Sequence, residues 1–273
     1  MIFYTGRNYA NKYRKERFIM SENNQAHYQE QYPGNQQPTA RKYQGGLGKD
    51  YTVDMVFCID ATGSMEDFSG GQKRIINMVK ENALSFYGDL MKKMADKNKR
   101  ISQLRVRVIA FRDYIADGEN AMLVTDFFRL PEQAAAFESC INSIHAAGGG
   151  DIPEDGLEAL AYAMKSSWTS EGTDQRRVIV VWTDAGTHPL GFGSSAENYP
   201  KGMPANLSEL GDWWDDIPTK SKRLVLYAPD EPGWSHISAN WENVVHYPSV
   251  AGNGLAECDY SEILDVLAMS ITK

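Results

Sequence analysis

The sequence is short of cysteine, of long apolar runs and of excess basic charge, and each shortage removes a class of protein. Cys58, Cys140 and Cys258 are the only cysteines among 273 residues, and no two form a CxxC pair. That excludes a disulfide-stapled or zinc-ribbon scaffold and reads as reduced thiols in a cytoplasmic protein. Cys58, inside VDMVFCID, reads as a small core residue. No apolar run approaches the ~20 residues that span a bilayer. The N-terminal MIFYTGRNYANKYRKER is basic but has no hydrophobic stretch behind it, so a secretory signal is not expected. Lys and Arg number 28 against 36 Asp and Glu, a formal net charge of −8, which argues against general binding to nucleic acid or an anionic membrane.

What is present is an ordinary globular composition, 42% hydrophobic and 23% charged. The length allows one large domain or two small ones and a core that needs no staple. Residues 21–50 carry six Gln and three Asn, with Leu47 as their sole large aliphatic residue. Such a segment buries too little apolar surface to offset its ordering entropy, so residues 1–50 are expected to be disordered. Within them, residues 1–19 hold Arg7, Lys12, Arg14, Lys15 and Arg17 against Glu16 alone. They read either as a start-site artefact, with Met20 as the true start, or as a short basic amphipathic arm.

The folded part is expected over residues 51–273. TVDMVFCID (52–60) is a nearly continuous apolar run ending in Asp, which suits a strand buried on both faces of a parallel sheet. Residues 104–113, 176–184, 222–230 and 244–248 read as further strands, and 122–128 as a short edge strand. Helices are expected over 72–98, 131–145, 153–168 and 259–271. Strands separated by helices indicate an α/β fold with a mostly parallel central sheet. Ligands of such sheets sit at the carboxyl ends of strands. Here the strands are expected to end in Asp60, Asp113, Asp184 and Asp230, an acidic rim suited to a metal, although Asp is also common in turns.

The strongest local signal is Asp60-Ala61-Thr62-Gly63-Ser64, placed between a buried strand and a long helix. One carboxylate and two hydroxyls alternate along a tight loop, so their oxygens can converge on one hard cation, Mg²⁺ or Mn²⁺. The plainer role of Thr62 or Ser64 is to cap the following helix. Two later segments bear on the choice: Gly148-Gly149-Gly150-Asp151-Ile152-Pro153-Glu154-Asp155, and Thr183-Asp184-Ala185-Gly186-Thr187-His188.

Together the three segments resemble the von Willebrand factor A (VWA) domain, whose metal-ion-dependent adhesion site joins a DxSxS loop, a residue of a glycine-rich loop and a strand-end Asp. The resemblance covers about residues 51–272. In motif style it is closest to VWA domains found beside alpha-kinases and in bacterial signalling gene sets, and less close to integrin-type adhesion domains. It implies a Rossmann-like fold with one antiparallel edge strand and helices on both faces. It also implies a Mg²⁺ or Mn²⁺ site made by Asp60, Thr62, Ser64, Asp151 and Asp184. Asp151 stands where adhesive members often have Thr. Its other role is a helix N-cap, with Pro153, Glu154 and Asp155 as first-turn residues. A third carboxylate would hold the metal more firmly and attract an acidic partner less.

Two insertions, at about 185–221 and 230–243, follow strand ends and are expected to overhang the metal. They carry Trp213, Trp214, Trp234 and Trp241, which serve either as partner contacts or as packing for the insertions. His188 could line the same site or be structural, and Asp113 could be a ligand or a turn cap. The resemblance implies a non-catalytic, metal-dependent protein-interaction module in a bacterial signalling, stress-response or defence complex. The alternative is a metal-dependent phosphohydrolase or phosphotransferase using the acidic pocket. Against it, the first loop lacks a second Asp in DxD spacing, and neither a GxxxxGK[ST] nor a GxSxG motif is present. A receiver-type phospho-acceptor lacks its adjacent acids here, and DATGS in place of GxGxxG disfavours a nicotinamide cofactor.

Overall fold

Strand β1 (Asp50–Asp60) turns Val53, Met55, Phe57 and Ile59 to one side and Val56 and Cys58 to the other. The period of two thus places apolar side chains on both faces of the strand. In the computed structural model, which describes residues 50–66, 75–249 and 260–272, β1 is the central strand of a seven-stranded sheet. It pairs in parallel with β2 (Arg100–Phe111) and β5 (Asp174–Trp182), and β5 continues in parallel to β6 (Lys222–Pro229) and β7 (Val244–Ser249). The readings of residues 1–49 lie outside the described residues, as does Cys258.

The far edge is antiparallel. β3 (Met122–Val124) and β4 (Phe128–Leu130) both pair with β2. A single strand over 122–128 was expected, and the side chain of Thr125 explains the split. The Val108 N–H donates to Thr125 Oγ1 (3.0 Å) and Arg107 Nε to the Thr125 carbonyl (2.7 Å), so the chain leaves the ladder there. Phe127 then packs tilted against Trp168 on one face, while Phe128 meets Phe137 on the other.

Helices cover both faces. On one lie α1 (Ile75–Asp96), α3 (Ala134–Ser143) and α7 (Tyr260–Thr272), which bury Phe86, Phe137 and Ile271 against β1. On the other lie α4 (Gly156–Met164), α5 (Leu207–Asp215) and α6 (Pro232–Asn240). The four-residue α2 (Tyr114–Asp117) sits after β2, N-capped by Asp113, whose Oδ1 accepts the Ala116 N–H at 2.7 Å. Among the described residues no helix is long and apolar enough to cross a membrane.

The first residues of both insertions stay at the carboxyl edge, with Phe192 stacked on His188 at 3.9 Å and Trp234 Nε1 donating to the Ala185 carbonyl at 3.2 Å. Their helical parts do not hang over it as expected. A parallel connection has to return the chain to the amino edge, and α5 and α6 are those return crossovers. The Lys222 ammonium, at the start of β6, donates to the Trp214 carbonyl (2.8 Å), and Trp214 Nε1 donates to the Glu242 carbonyl (2.9 Å) just before β7. Trp214 and Trp241 stack there at 6.3 Å, and Trp213 lies under the Lys165 ammonium at 4.2 Å. α5 begins at Asn206, whose side chain accepts the Glu209 N–H at 3.0 Å. Asn206→Ala should cost about 1 kcal/mol in urea melts, since only this cap is lost.

Candidate metal centre

Asp60 ends β1 and is wholly buried. Its Oδ1 accepts the Thr62 N–H at 2.9 Å and the Thr62 hydroxyl at 2.6 Å, and its Oδ2 accepts the Thr183 hydroxyl at 2.6 Å. From Thr62 the chain of oxygens runs on: Thr62 Oγ1 lies 3.1 Å from Ser64 Oγ, which donates to Asp184 Oδ1 at 2.9 Å. Thus Asp60, Thr62, Ser64 and Asp184, expected to converge, are joined in one hydrogen-bonded group. Only Ser64 in it is exposed, so the group opens to solvent there.

The backbone explains the convergence. β1 and β5 are adjacent and parallel, so Asp60 and Asp184 leave the same edge of the sheet. Residues Gly63–Glu66 form a 3₁₀ turn that directs Ser64 back across that edge. The Gly63 N–H donates to the Gly148 carbonyl at 3.0 Å, and a Cβ on Gly63 would meet that same oxygen at 3.0 Å. Gly149 has φ +81°, and a Cβ there would meet Glu154 Oε1 at 2.9 Å and Thr62 Cβ at 3.3 Å. Glycine therefore lets the glycine-rich loop lie against the Asp60 turn.

That loop separates its two acids, Asp151 and Glu154, between two neighbouring groups. Asp151 does not turn toward Thr62. Its carboxylate is 59% exposed and lies 3.3 Å from His188 Nε2. Glu154, read in the sequence as a first-turn helix acid, is the buried residue beside Thr62. Its backbone is locked onto the other loop: its N–H donates to the Gly186 carbonyl (3.1 Å), and its carbonyl accepts the His188 N–H (2.9 Å). This bridge delays the start of α4 to Gly156, three residues after the expected position. The clue was in the spacing, because an acid sits between Pro153 and the apolar run Leu157–Met164, but its partner is 32 residues away.

Burial pushes the Asp60 carboxyl up to about 6, with the Asp184 charge adding to it and the Thr183 and Thr62 hydrogen bonds opposing it. Burial likewise raises Asp184. Glu154 rises to about 9, through burial and then the charge of Asp60, followed by Asp113, Asp117 and Asp155. Two buried carboxylate oxygens, Asp184 Oδ2 and Glu154 Oε2, have no hydrogen-bond partner. Orphaned, desolvated carboxyl oxygens close to the hydroxyls of Thr62 and Ser64 fit a hard divalent cation, which would satisfy them and offset the Asp60 and Asp184 charge.

A second group lies beside this one. Asp113, Asp151 and His188 each offer an atom within 4.8 Å of the others and could hold a metal ion. His188 is buried, with its ring stacked on Phe192 at 3.9 Å. Exposed Ile115, Ile152 and Phe192 surround this group. The tryptophans, by contrast, lie against the core. Trp214 and Trp234 are 1% and 0% exposed and pack the crossovers, while Trp213 and Trp241 are half-buried against the same core.

No family model matches the chain. The alpha-protein kinase vwkA of Dictyostelium discoideum is 25% identical over 165 residues, covering 60% of this chain and 23% of that protein. The pilus adhesin SpaC of Lactobacillus rhamnosus GG superposes with a TM-score of 0.51 at 14% identity, over 84% of this chain and 31% of the adhesin. The PilB minor pilin of Streptococcus sanguinis gives 0.52 at 13% identity, over 83% of this chain and 64% of the pilin. The chain thus spans less than two thirds of each of these proteins. The two structures share its mixed α/β fold.

Proposed function

We propose that the chain is a VWA-type domain acting as a non-catalytic, divalent-metal-dependent protein-interaction module. The carrying observation is the continuous run of oxygens from Asp60 through Thr62 and Ser64 to the orphaned Oδ2 of Asp184. These four residues would hold Mg²⁺ or Mn²⁺. The bound ion would supply an electrophilic centre for an oxygen of another protein. Thr183 holds Asp60 from the far side, and Ser64 marks the open face. With Asp151 turned to His188, the four residues would offer the ion two carboxylates, Asp60 and Asp184, while burial holds Glu154 beside them protonated near neutral pH, which would leave the ion more attractive to an acidic partner group. The exposed Ile115, Ile152 and Phe192 nearby supply apolar contact area of the kind interfaces use. Similarity to an alpha-protein kinase supports the motif style read from the sequence. The partner would be a component of a signalling, stress-response or defence complex.

The phosphohydrolase reading draws on Glu154. A carboxyl held protonated near neutral pH could serve as a general acid. The two readings part in one experiment on the full chain. Thermal melts in EDTA, Mg²⁺ and Mn²⁺ should show stabilisation of about 2.7 kcal/mol at 100 times the dissociation constant, a shift of about 5–10 °C. Asp60→Ala and Ser64→Ala should both lose it. Turnover of generic phosphate esters with Mn²⁺, abolished by Asp60→Ala, would overturn the module in favour of the enzyme.

A further inference from the structure

The buried carboxylate of Asp155 dictates how the His188 ring is used. Asp155 Oδ2 accepts the Tyr114 N–H at 2.6 Å, which fixes the carboxylate, and its Oδ1 faces His188 Nδ1 at 3.2 Å. An ionised carboxylate only accepts, so a neutral ring carries its hydrogen on Nδ1 and leaves Nε2 with its lone pair. That Nε2 is buried, has no hydrogen-bond partner, and lies 3.3 Å from Asp151 Oδ1. A lone pair facing a carboxylate repels it unless a metal ion lies between them or a proton sits on Nε2. Two ligands of a tetrahedral ion, each about 2.0–2.1 Å from the metal, stand about 3.3 Å apart. The observed separation is that of a ligand pair.

The third ligand comes from the end of β2. Asp113 spends Oδ1 on capping α2, its Oδ2 lies 3.6 Å from His188 Nδ1, and its carboxylate, that of Asp151 and the His188 ring each offer a ligand atom within 4.8 Å of the others. Asp155 then does what carboxylates behind metal-bound histidines do: it sets the tautomer and the ring orientation. Phe192, stacked on the ring at 3.9 Å, holds its plane. Asp151, 59% exposed, leaves a path from solvent.

We propose that Asp113, Asp151 and His188 form a second cation site, with Asp155 as its positioning residue, that takes a first-row transition metal of the zinc class. The imidazole nitrogen sets it apart from the all-oxygen group at Asp60, since nitrogen ligands favour zinc over Mg²⁺. The three residues leave a coordination position for water or an incoming group. The inference uses none of the four oxygen donors of the first group and stands or falls without them.

The test is zinc binding by the full chain in a large excess of Mg²⁺, followed by isothermal titration and by metal content after desalting. One zinc per chain is expected. Asp151→Asn, an exposed substitution, should weaken binding at least about tenfold, and Asp155→Asn about 10–100-fold. His188→Gln should abolish it, and Asp184→Asn should leave it unchanged. Absence of zinc from the wild type overturns the site and makes a protonated His188 the bridge between the two carboxylates. Zinc kept by Asp151→Asn places the ion on other histidines or thiols. Zinc lost equally in Asp184→Asn merges the two groups into one. Each of these three results refutes the proposal.

Discussion

Trp234→Ala should destabilise the protein by about 3–5 kcal/mol in urea denaturation and weaken metal binding in the same step. The indole is wholly buried. It sits at the start of α6, and its Nε1–H donates to the Ala185 carbonyl at 3.2 Å. Ala185 follows Asp184 directly. On the other side the ring presses on Gly156, the first residue of α4, where a Cβ would come within 2.7 Å of Cζ2. One side chain thus props up both the loop that presents Asp184 and the loop that presents Glu154. Removing it leaves a cavity under both and releases the carbonyl that orients the Asp184 turn. Gly156→Ala should act in the same direction from the opposite side of the contact. Trp213→Ala, half-buried on α5 beside Lys165, should cost less and leave metal binding intact. The opposite pattern, unchanged stability of Trp234→Ala with loss of partner capture, would return Trp234 to an interface role.

The tryptophans show where sequence reading loses its grip. Their positions in the chain were plain, and their positions in space were not. A segment that leaves a strand's carboxyl end can stay there as a loop or run down the face as a crossover. Only the packing of α5 and α6 decides between them. The strands were legible because β1, β5 and β6 are buried on both faces and carry unbroken apolar runs. The edge was less legible, since the departure at Thr125 depends on bonds to Arg107 and Val108 seventeen or so residues back. In the site, Asp60, Thr62, Ser64 and Asp184 could be grouped because each follows or lies within a recognisable strand-end turn. That Glu154 rather than Asp151 lies buried beside Thr62 could not be read, because it is set by the pairing of Glu154 with the Gly186–His188 backbone. Helix-start chemistry explains acids after a proline equally well, so the local signal points the wrong way.

The same buried acids make a sharper prediction about pH. Without divalent metal, stability should fall as pH rises through the acid range, the reverse of ordinary salt-bridged carboxylates. Asp60 titrates at its usual 3.8 when unfolded and at about 6 when folded. Between these values the folded state holds more protons than the unfolded state, so raising the pH favours unfolding. The contribution is fully present below 3.8 and lost by about 6, amounting to about 3 kcal/mol at 1.36 kcal/mol per unit. Glu154, raised to about 9, continues the slope past neutrality. Saturating Mg²⁺ or Mn²⁺ should cancel most of the loss at pH 8, where the cation takes the place of the protons. It should add little at pH 5, where protons compete for Asp60. Asp60→Asn separates this account from general acid effects. The amide oxygen can still accept from Thr62, and the Thr183 hydroxyl, 2.6 Å away, can turn to accept from the amide nitrogen. In EDTA at pH 8 this variant should therefore melt above the wild type while failing to respond to metal. Urea melts in EDTA from pH 4 to 9, repeated with Mg²⁺, read all of this directly. A wild-type EDTA curve that rises with pH, or an Asp60→Asn curve with the wild-type slope, would remove Asp60 as the group whose charge the cation is there to balance.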